Sequence, residues 1–221
     1  MSYTPSVPQN DKRIINGWSM FDWANSAYAL CIMTAVFPPY FEHTAPEVIS
    51  VLGREIPNSS FLAYAFSAAY LIIALFSPAL SGIADFGGMR KWFMKLFTWM
   101  GGLGCIGLLF FTNAQTVGIG TVALMLSTIG FAGGLVFYNS YIPIIATPDR
   151  YDYLSARGFT FGYIGSMIIL IICLVIYMNP ESFFIDTPGQ AARIGFVLVG
   201  VWWIGFAQIP FAILPPDRRG G

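Results

Sequence analysis

Apolar residues in this chain come in six long runs separated by short polar stretches, at about 14–37, 61–83, 92–112, 117–142, 158–178 and 194–214. A helix needs about 20 mainly apolar residues to cross the hydrocarbon core of a bilayer, and each run has that length. The pattern predicts six transmembrane helices in a domain over 14–214, between a tail at 1–13 and a tail at 215–221. Pro38 and Pro39 close the first run, because proline lacks the N–H that would continue a helix and clashes with the preceding turn. Pro143 stands near the close of the fourth.

Composition agrees with that reading. The chain has 221 residues, 56% hydrophobic and only 10% charged, against about 25% charged in soluble domains. An all-α integral membrane protein follows, with the lipid bilayer as its first partner. Eleven basic and eleven acidic residues cancel to a net charge of zero, so there is no electrostatic footprint for nucleic acid. Cys31, Cys105 and Cys173 all fall inside apolar runs, which argues against a disulfide framework, and no metal-ligand spacing is present. No cofactor motif appears. His43 is the single histidine, in a predicted loop, and no cluster of nucleophile, base and orienting group suggests an enzyme. The first run is too long for a cleaved signal and lacks a small-residue cleavage site.

Charge placement gives an orientation. Lys12, Arg13, Arg90, Lys91, Lys95, Arg150, Arg157, Arg218 and Arg219 fall on one side of the predicted membrane. Only Arg54 and Arg193 fall on the other. Basic residues favour the cytoplasmic side, so both termini are expected there, in a bacterial inner membrane. The two long outer loops, 38–60 and 179–193, are acidic through Glu42, Glu47, Glu55, Glu181 and Asp186. Asn58-Ser59-Ser60 is a glycosylation sequon that matters only in a eukaryotic secretory route.

Asp22 is the one ionisable residue well inside an apolar run. A carboxylate at membrane depth costs about 2.5–3.5 kcal/mol on insertion scales, so it usually faces a cavity or a partner. Asp22, Asn25 and Ser26 stand at i, i+3 and i+4 and share one helix face. An acid, an amide and a hydroxyl together can bind a polar solute or relay a proton. Tyr138 and Asn139 lie toward the inner end of the fourth run, at a depth that lets them face the same cavity, and a tyrosine there equally suits an interfacial anchor. Arg157 reads as a topology charge opening the fifth run. Gly130 with Gly134, and Gly158 with Gly162, are four apart, the small-residue spacing that lets helix backbones approach.

The segment Gly82-Ile83-Ala84-Asp85-Phe86-Gly87-Gly88-Met89-Arg90-Lys91 joins the second and third runs. It resembles the pattern G-x-x-x-D-x-x-G-x-[RK] of the major facilitator superfamily, except that Gly82 stands three positions before the acid. Three further stretches resemble the vacuole-effluxer-like branch of that superfamily. One is Gly17-Trp18-Ser19-Met20-Phe21-Asp22-Trp23-Ala24-Asn25-Ser26-Ala27-Tyr28 with Phe37-Pro38-Pro39-Tyr40-Phe41. The others are Val136-Phe137-Tyr138-Asn139-Ser140-Tyr141-Ile142-Pro143 and Ser155-Ala156-Arg157-Gly158-Phe159-Thr160-Phe161-Gly162-Tyr163-Ile164-Gly165. Together they cover most of residues 14–170.

The resemblance implies the N-terminal half of a major-facilitator fold: six helices in two inverted three-helix repeats, with a solute site between halves. It implies secondary transport by alternating access of a small polar solute, a site at Asp22, Asn25, Ser26, Tyr138 and Asn139, and a gating loop at Gly82, Asp85, Gly88, Arg90 and Lys91. A fungal member of the branch is associated with amino-acid efflux, and proton coupling is an open feature. The family has twelve spans and six are predicted here. The expected partner is a second six-helix half: a C-terminal half beyond this chain, a homodimer mate or another membrane subunit. A non-transporting six-helix scaffold within a larger membrane complex is the alternative.

Overall fold

The computed structural model describes residues 8–216. The outer parts of both tails, with Arg218 and Arg219, lie outside the described residues. The first apolar run forms α1 (Lys12–Ala27), which continues as a π-helix over Tyr28–Ala35. Asp11 caps α1, its side chain accepting from the backbone N–H of Arg13 (2.7 Å) and Ile14 (3.3 Å). A carboxylate there also meets the positive end of the helix dipole. The wider winding shows at Val36, whose N–H bonds to the Cys31 carbonyl five residues back (2.8 Å). π-Helical winding is rare and is frequently found at functional sites. Pro38 and Pro39 do more than stop the run. They lie in the first turn of α2 (Phe37–Thr44), where a missing N–H would have had no partner anyway.

The stretch 38–60, expected as loop, holds α2 and a hairpin. Its strands β1 (Val48–Val51) and β2 (Arg54–Pro57) pair antiparallel, with Val51 opposite Arg54. Leu52 and Gly53 form the two-residue turn, both at positive φ (52° and 78°), as a type I′ turn requires. Apart from this hairpin the described architecture is helical: α3 (Asn58–Gly87), α4 (Arg90–Gly107), α5 (Val117–Asn139), the single turn α6 (Ile142–Ile145), α7 (Tyr151–Met178) and α8 (Pro188–Ile213).

Five helical segments, 58–87, 90–110, 114–145, 148–178 and 188–213, are long and apolar enough to cross a membrane. The chain is an all-α integral membrane protein. Most of these segments overrun the apolar runs that predict them, because polar end residues such as Tyr151–Arg157 are helical too. The segment over 12–35 stands apart from the five. It carries Lys12, Arg13, Asn16, Asp22, Asn25 and Ser26, which dilute its apolar character.

α1 packs against α7 on one side and α8 on the other, α4 lies along α5 and α8, and α3 leans on α5. In lipid, helices associate through close van der Waals contact rather than through burial from water, and glycine permits the closest approach. At the α4–α5 crossing Gly130 meets the backbone of Gly101 and the Phe97 carbonyl directly.

Aromatic side chains fill the rest of the core. Phe37, Tyr40, Phe41, Phe111 and Phe196 form a nest at one end, where Tyr40 Oη donates to the Phe111 carbonyl (2.5 Å). Phe93, Phe97 and Phe137 stack nearer the other end. That second end also gathers the N-terminus of α1, the α3–α4 junction, the α5–α7 connection and the C-terminus of α8. Lys91 Nζ donates there to the carbonyls of Phe211 (3.1 Å) and Leu214 (2.5 Å). It thus satisfies the last carbonyls of α8, which a helix leaves without intrahelical partners.

Candidate functional site

Asp22 lies in mid-α1, where α5 and α7 both reach it. Tyr138 Oη of α5 donates to Asp22 Oδ2 (3.4 Å), and Ser26 Oγ, one turn along α1, donates to Asp22 Oδ1 (3.5 Å). Both bonds are long. The carboxylate has no ion-pair partner among the described residues. It is therefore held by hydroxyl donors alone, and it is only partly buried.

Packing fixes Tyr138 more tightly than its hydrogen bond does. Its ring stacks on Trp18 (centroids 4.1 Å apart, planes 9° from parallel) and on Phe21 (5.1 Å). Trp18 Nε1 donates to the Tyr138 carbonyl (3.0 Å). Trp18, Phe21, Asp22 and Ser26 recur at helical spacing along α1, so one face of that helix presents two rings, then the acid, then the hydroxyl. A stacked aromatic pair contributes about 0.5–1.5 kcal/mol beyond its buried area. That locates the phenol beside the acid at little entropic cost.

α7 roofs the cluster with glycines. A Cβ at Gly158 would fall 2.6 Å from Tyr138 Oη and 2.8 Å from Asp22 Oδ2, and one at Gly162 would fall 2.5 Å from Ser26 Oγ. Gly165 lies against the Trp23 carbonyl. The four-residue spacing read from sequence as a packing motif is thus the lid over the polar cluster. On the far side of α1, Trp202 Nε1 donates to the Trp23 carbonyl (3.2 Å) and the two indoles stack at 5.8 Å.

The other expected site residues fall differently. Asn25 is fully buried, and neither of its side-chain polar atoms has a hydrogen-bond partner among the described residues. A buried amide without partners costs roughly 1–3 kcal/mol. Asn139 follows Tyr138 directly, yet it is exposed because successive helical residues point about 100° apart. The structure brings together Asp22, Ser26 and Tyr138 and leaves Asn139 outside. Trp18 completes the cluster; its signal in the sequence was its position four residues before Asp22.

The expected gating loop is mostly helix. Gly82 and Asp85 lie within α3, and Gly82 has open space around it. Only Gly88 and Met89 connect α3 to α4. Gly88 takes the left-handed conformation (φ 60°) that ends a helix. Asp85 accepts from Arg90 through a single oxygen (2.7 and 2.9 Å), and Lys91 turns away to cap α8.

A bundle of long apolar helices with a polar cluster at mid-helix depth, built from non-adjacent segments, is the architecture of a polytopic membrane protein. The chain belongs to the vacuole effluxer Atg22-like family, which residues 10–221 match. It is similar to the MFS-type transporter YxiO of Bacillus subtilis (strain 168), 33% identical over 196 residues that make up 88% of this chain and 45% of that protein. It is also similar to two fungal proteins named Autophagy-related protein 22. The one from Pyricularia oryzae is 23% identical over 96% of this chain and 43% of its own length. The one from Coccidioides immitis is 24% identical over 95% and 49%. The chain spans about half the length of the curated relatives it matches. No solved structure matches it. The family's description and the bacterial relative's name are those of transport proteins, not of enzymes.

Proposed function

We propose that this chain forms one six-helix half of a secondary transporter that moves a small polar solute by alternating access, with the segment over 12–35 as the first span. The observation that carries the reading is the Asp22 carboxylate, bonded by Ser26 of its own helix and Tyr138 of α5 under a glycine roof from α7. A site shared by helices that can move relative to one another can open to either side. Asp22, Asn25, Ser26 and Tyr138 form the solute or proton site. The unpartnered Asn25 amide supplies a donor and an acceptor to a ligand. Amino acids are the solute class to test first, and the acid is the natural group for proton coupling.

The end that gathers Lys12, Arg13, Arg90, Lys91, Lys95, Arg150 and Arg157 faces the cytoplasm in this reading, in a bacterial inner membrane. A second six-helix half completes the cavity, whether as a continuation of the chain, a homodimer mate or another subunit. α3 and α7 carry most of the exposed large apolar side chains, among them Leu75, Phe76, Phe86, Phe159 and Tyr163, and offer the faces for lipid and for that half.

The test is solute and proton flux in proteoliposomes holding the protein with any chain that co-purifies. Asp22→Asn replaces a charged acceptor by a neutral one, a difference on the order of 1–1.5 kcal/mol, so flux at low solute should fall roughly five- to tenfold. Undiminished flux in Asp22→Asn would remove the site from this reading. A scaffold role would show instead as fixed-stoichiometry association with other membrane proteins and indifference to Asp22→Asn.

A further inference from the structure

At the basic end of the bundle a pocket of about 440 Å³ opens between the starts of α1 and α7, lined by Lys12, Arg150, Arg157, Asn10, Asn16 and Tyr153 among others. Its walls are pinned. Asn10 N–H donates to the Ile145 carbonyl (2.8 Å), Asn10 Nδ2 donates to Thr147 Oγ1 (2.9 Å), and Thr147 N–H donates back to Asn10 Oδ1 (3.2 Å). Gln9 Nε2 adds bonds to the carbonyls of Pro143 (3.3 Å) and Ala146 (3.2 Å). These bonds tie the turn leading into α1 to the connection leading into α7, so the two helix N-termini are fixed side by side.

Arg157 is equally fixed. Its Nη2 donates to Asn16 Oδ1 (2.6 Å), its Nη1 donates to Tyr153 Oη (3.3 Å), and its guanidinium carbon stands 5.2 Å from the centre of the Phe161 ring. Its Nε is buried with no hydrogen-bond partner among the described residues. The carboxylates nearby offset only part of the pocket's charge, Asp149 acting on Arg150 from outside the cavity. Asp11 is engaged in capping α1, Asp149 and Asp152 do not line the cavity, and no ion pair to Lys12, Arg150 or Arg157 occurs among the described residues. Three cations thus converge on one small volume. Such a volume favours an anion through its side chains, since Asp11 already takes the free N–H groups at the start of α1.

We propose that this pocket binds the phosphate of an anionic phospholipid headgroup. Its depth favours lipid over a solute: Arg157 immediately precedes the apolar run that starts at Gly158, so the pocket lies where headgroups meet the first turn of a span. Basic pockets between transmembrane helices on the cytoplasmic side recognise headgroups of this kind. A lipid held here would brace α1 against α7, the two helices whose contact covers Asp22. The inference needs the chain to span the membrane and does not depend on transport.

The test is native mass spectrometry of the whole protein after reconstitution with equal phosphatidylglycerol and phosphatidylcholine, with and without millimolar inorganic phosphate. Lys12→Gln/Arg150→Gln removes two cations whose side chains make no hydrogen bond shown among the described residues, so the fold should survive. Arg157→Gln tests the anchored one. Phosphatidylglycerol should be retained in preference to phosphatidylcholine, and its retention should drop roughly thirtyfold in the double variant, with phosphatidylcholine unchanged. Equal retention of the two lipids, or retention indifferent to both variants, would overturn the proposal. Displacement of the lipid by inorganic phosphate would assign the pocket to a free anion and overturn the lipid assignment.

Discussion

Gly130→Ala adds one methyl group at the tightest helix crossing. An ideal Cβ there sits 2.4 Å from Gly101 N, 2.5 Å from Gly101 Cα and 2.6 Å from the Phe97 carbonyl oxygen. Ordinary carbon contacts stand at roughly 3.4 Å or more, so α4 and α5 must part by about 1 Å. All three neighbours are backbone, and no rotamer change relieves them. Alanine gains about 1 kcal/mol over glycine in a helix interior, while overpacking costs about 1–3 kcal/mol and occasionally more. Backbone contact places this case at the upper end, for a net loss of about 2 kcal/mol. Gly205→Ala in α8 is the control, since nothing lies within 4 Å of its Cβ, and it should gain about 1 kcal/mol. At about 2–4 °C per kcal/mol for a chain of this size, the two variants should melt about 6–12 °C apart in detergent, read by tryptophan fluorescence. Equal melting points, or Gly130→Ala melting higher, would refute the claim that the α4–α5 approach is limited by backbone contact.

Two further outcomes follow from the basic end and from the bundle's polarity. Lys91→Met should lower the melting point by about 2–8 °C, because it strips α8 of donors to two carbonyls, a loss of about 1–2 kcal/mol. Arg90→Gln should shift it little, since the Arg90–Asp85 pair is half-exposed and such pairs contribute about 0–1 kcal/mol; a larger loss from Arg90→Gln than from Lys91→Met would reverse that ranking. For orientation, all three native cysteines are buried, so an impermeant maleimide applied to intact cells should label Glu55→Cys in the hairpin and spare Asp149→Cys until the cells are opened. The opposite pattern would invert the proposed topology.

Much of this architecture is legible in the sequence because a bilayer demands long apolar helices, and Pro and Gly mark their ends. The Asp22 cluster is legible in part. Position i+4 places Ser26 beside the acid, and the fourth run has Tyr138 at matching depth. Asn139 goes astray because a depth argument cannot choose between neighbours that point about 100° apart. Gly82 and Asp85 read as loop because glycine is read as a turn signal, yet Gly88 alone makes the turn and the helix runs through Gly82. The hairpin is hidden by its turn: Leu52 at positive φ is a costly residue for that conformation, and nothing in its identity announces it. Lys91 looks like one more topology charge, since the C-terminal carbonyls of α8 come to it from 120 residues away in sequence.

The account stands on Asp22 and Tyr138 acting as one site across α1 and α5. A double-mutant cycle on solute flux tests this most directly, with Asp22→Asn, Tyr138→Phe and the two combined in the same vesicles. Each single change should cut flux, and the double variant should lose less than the product of the two single losses, because Asp22→Asn leaves only a weaker, neutral acceptor for the Tyr138 hydroxyl to lose. Flux unaffected by either change, or losses that multiply as for independent positions, would contradict it.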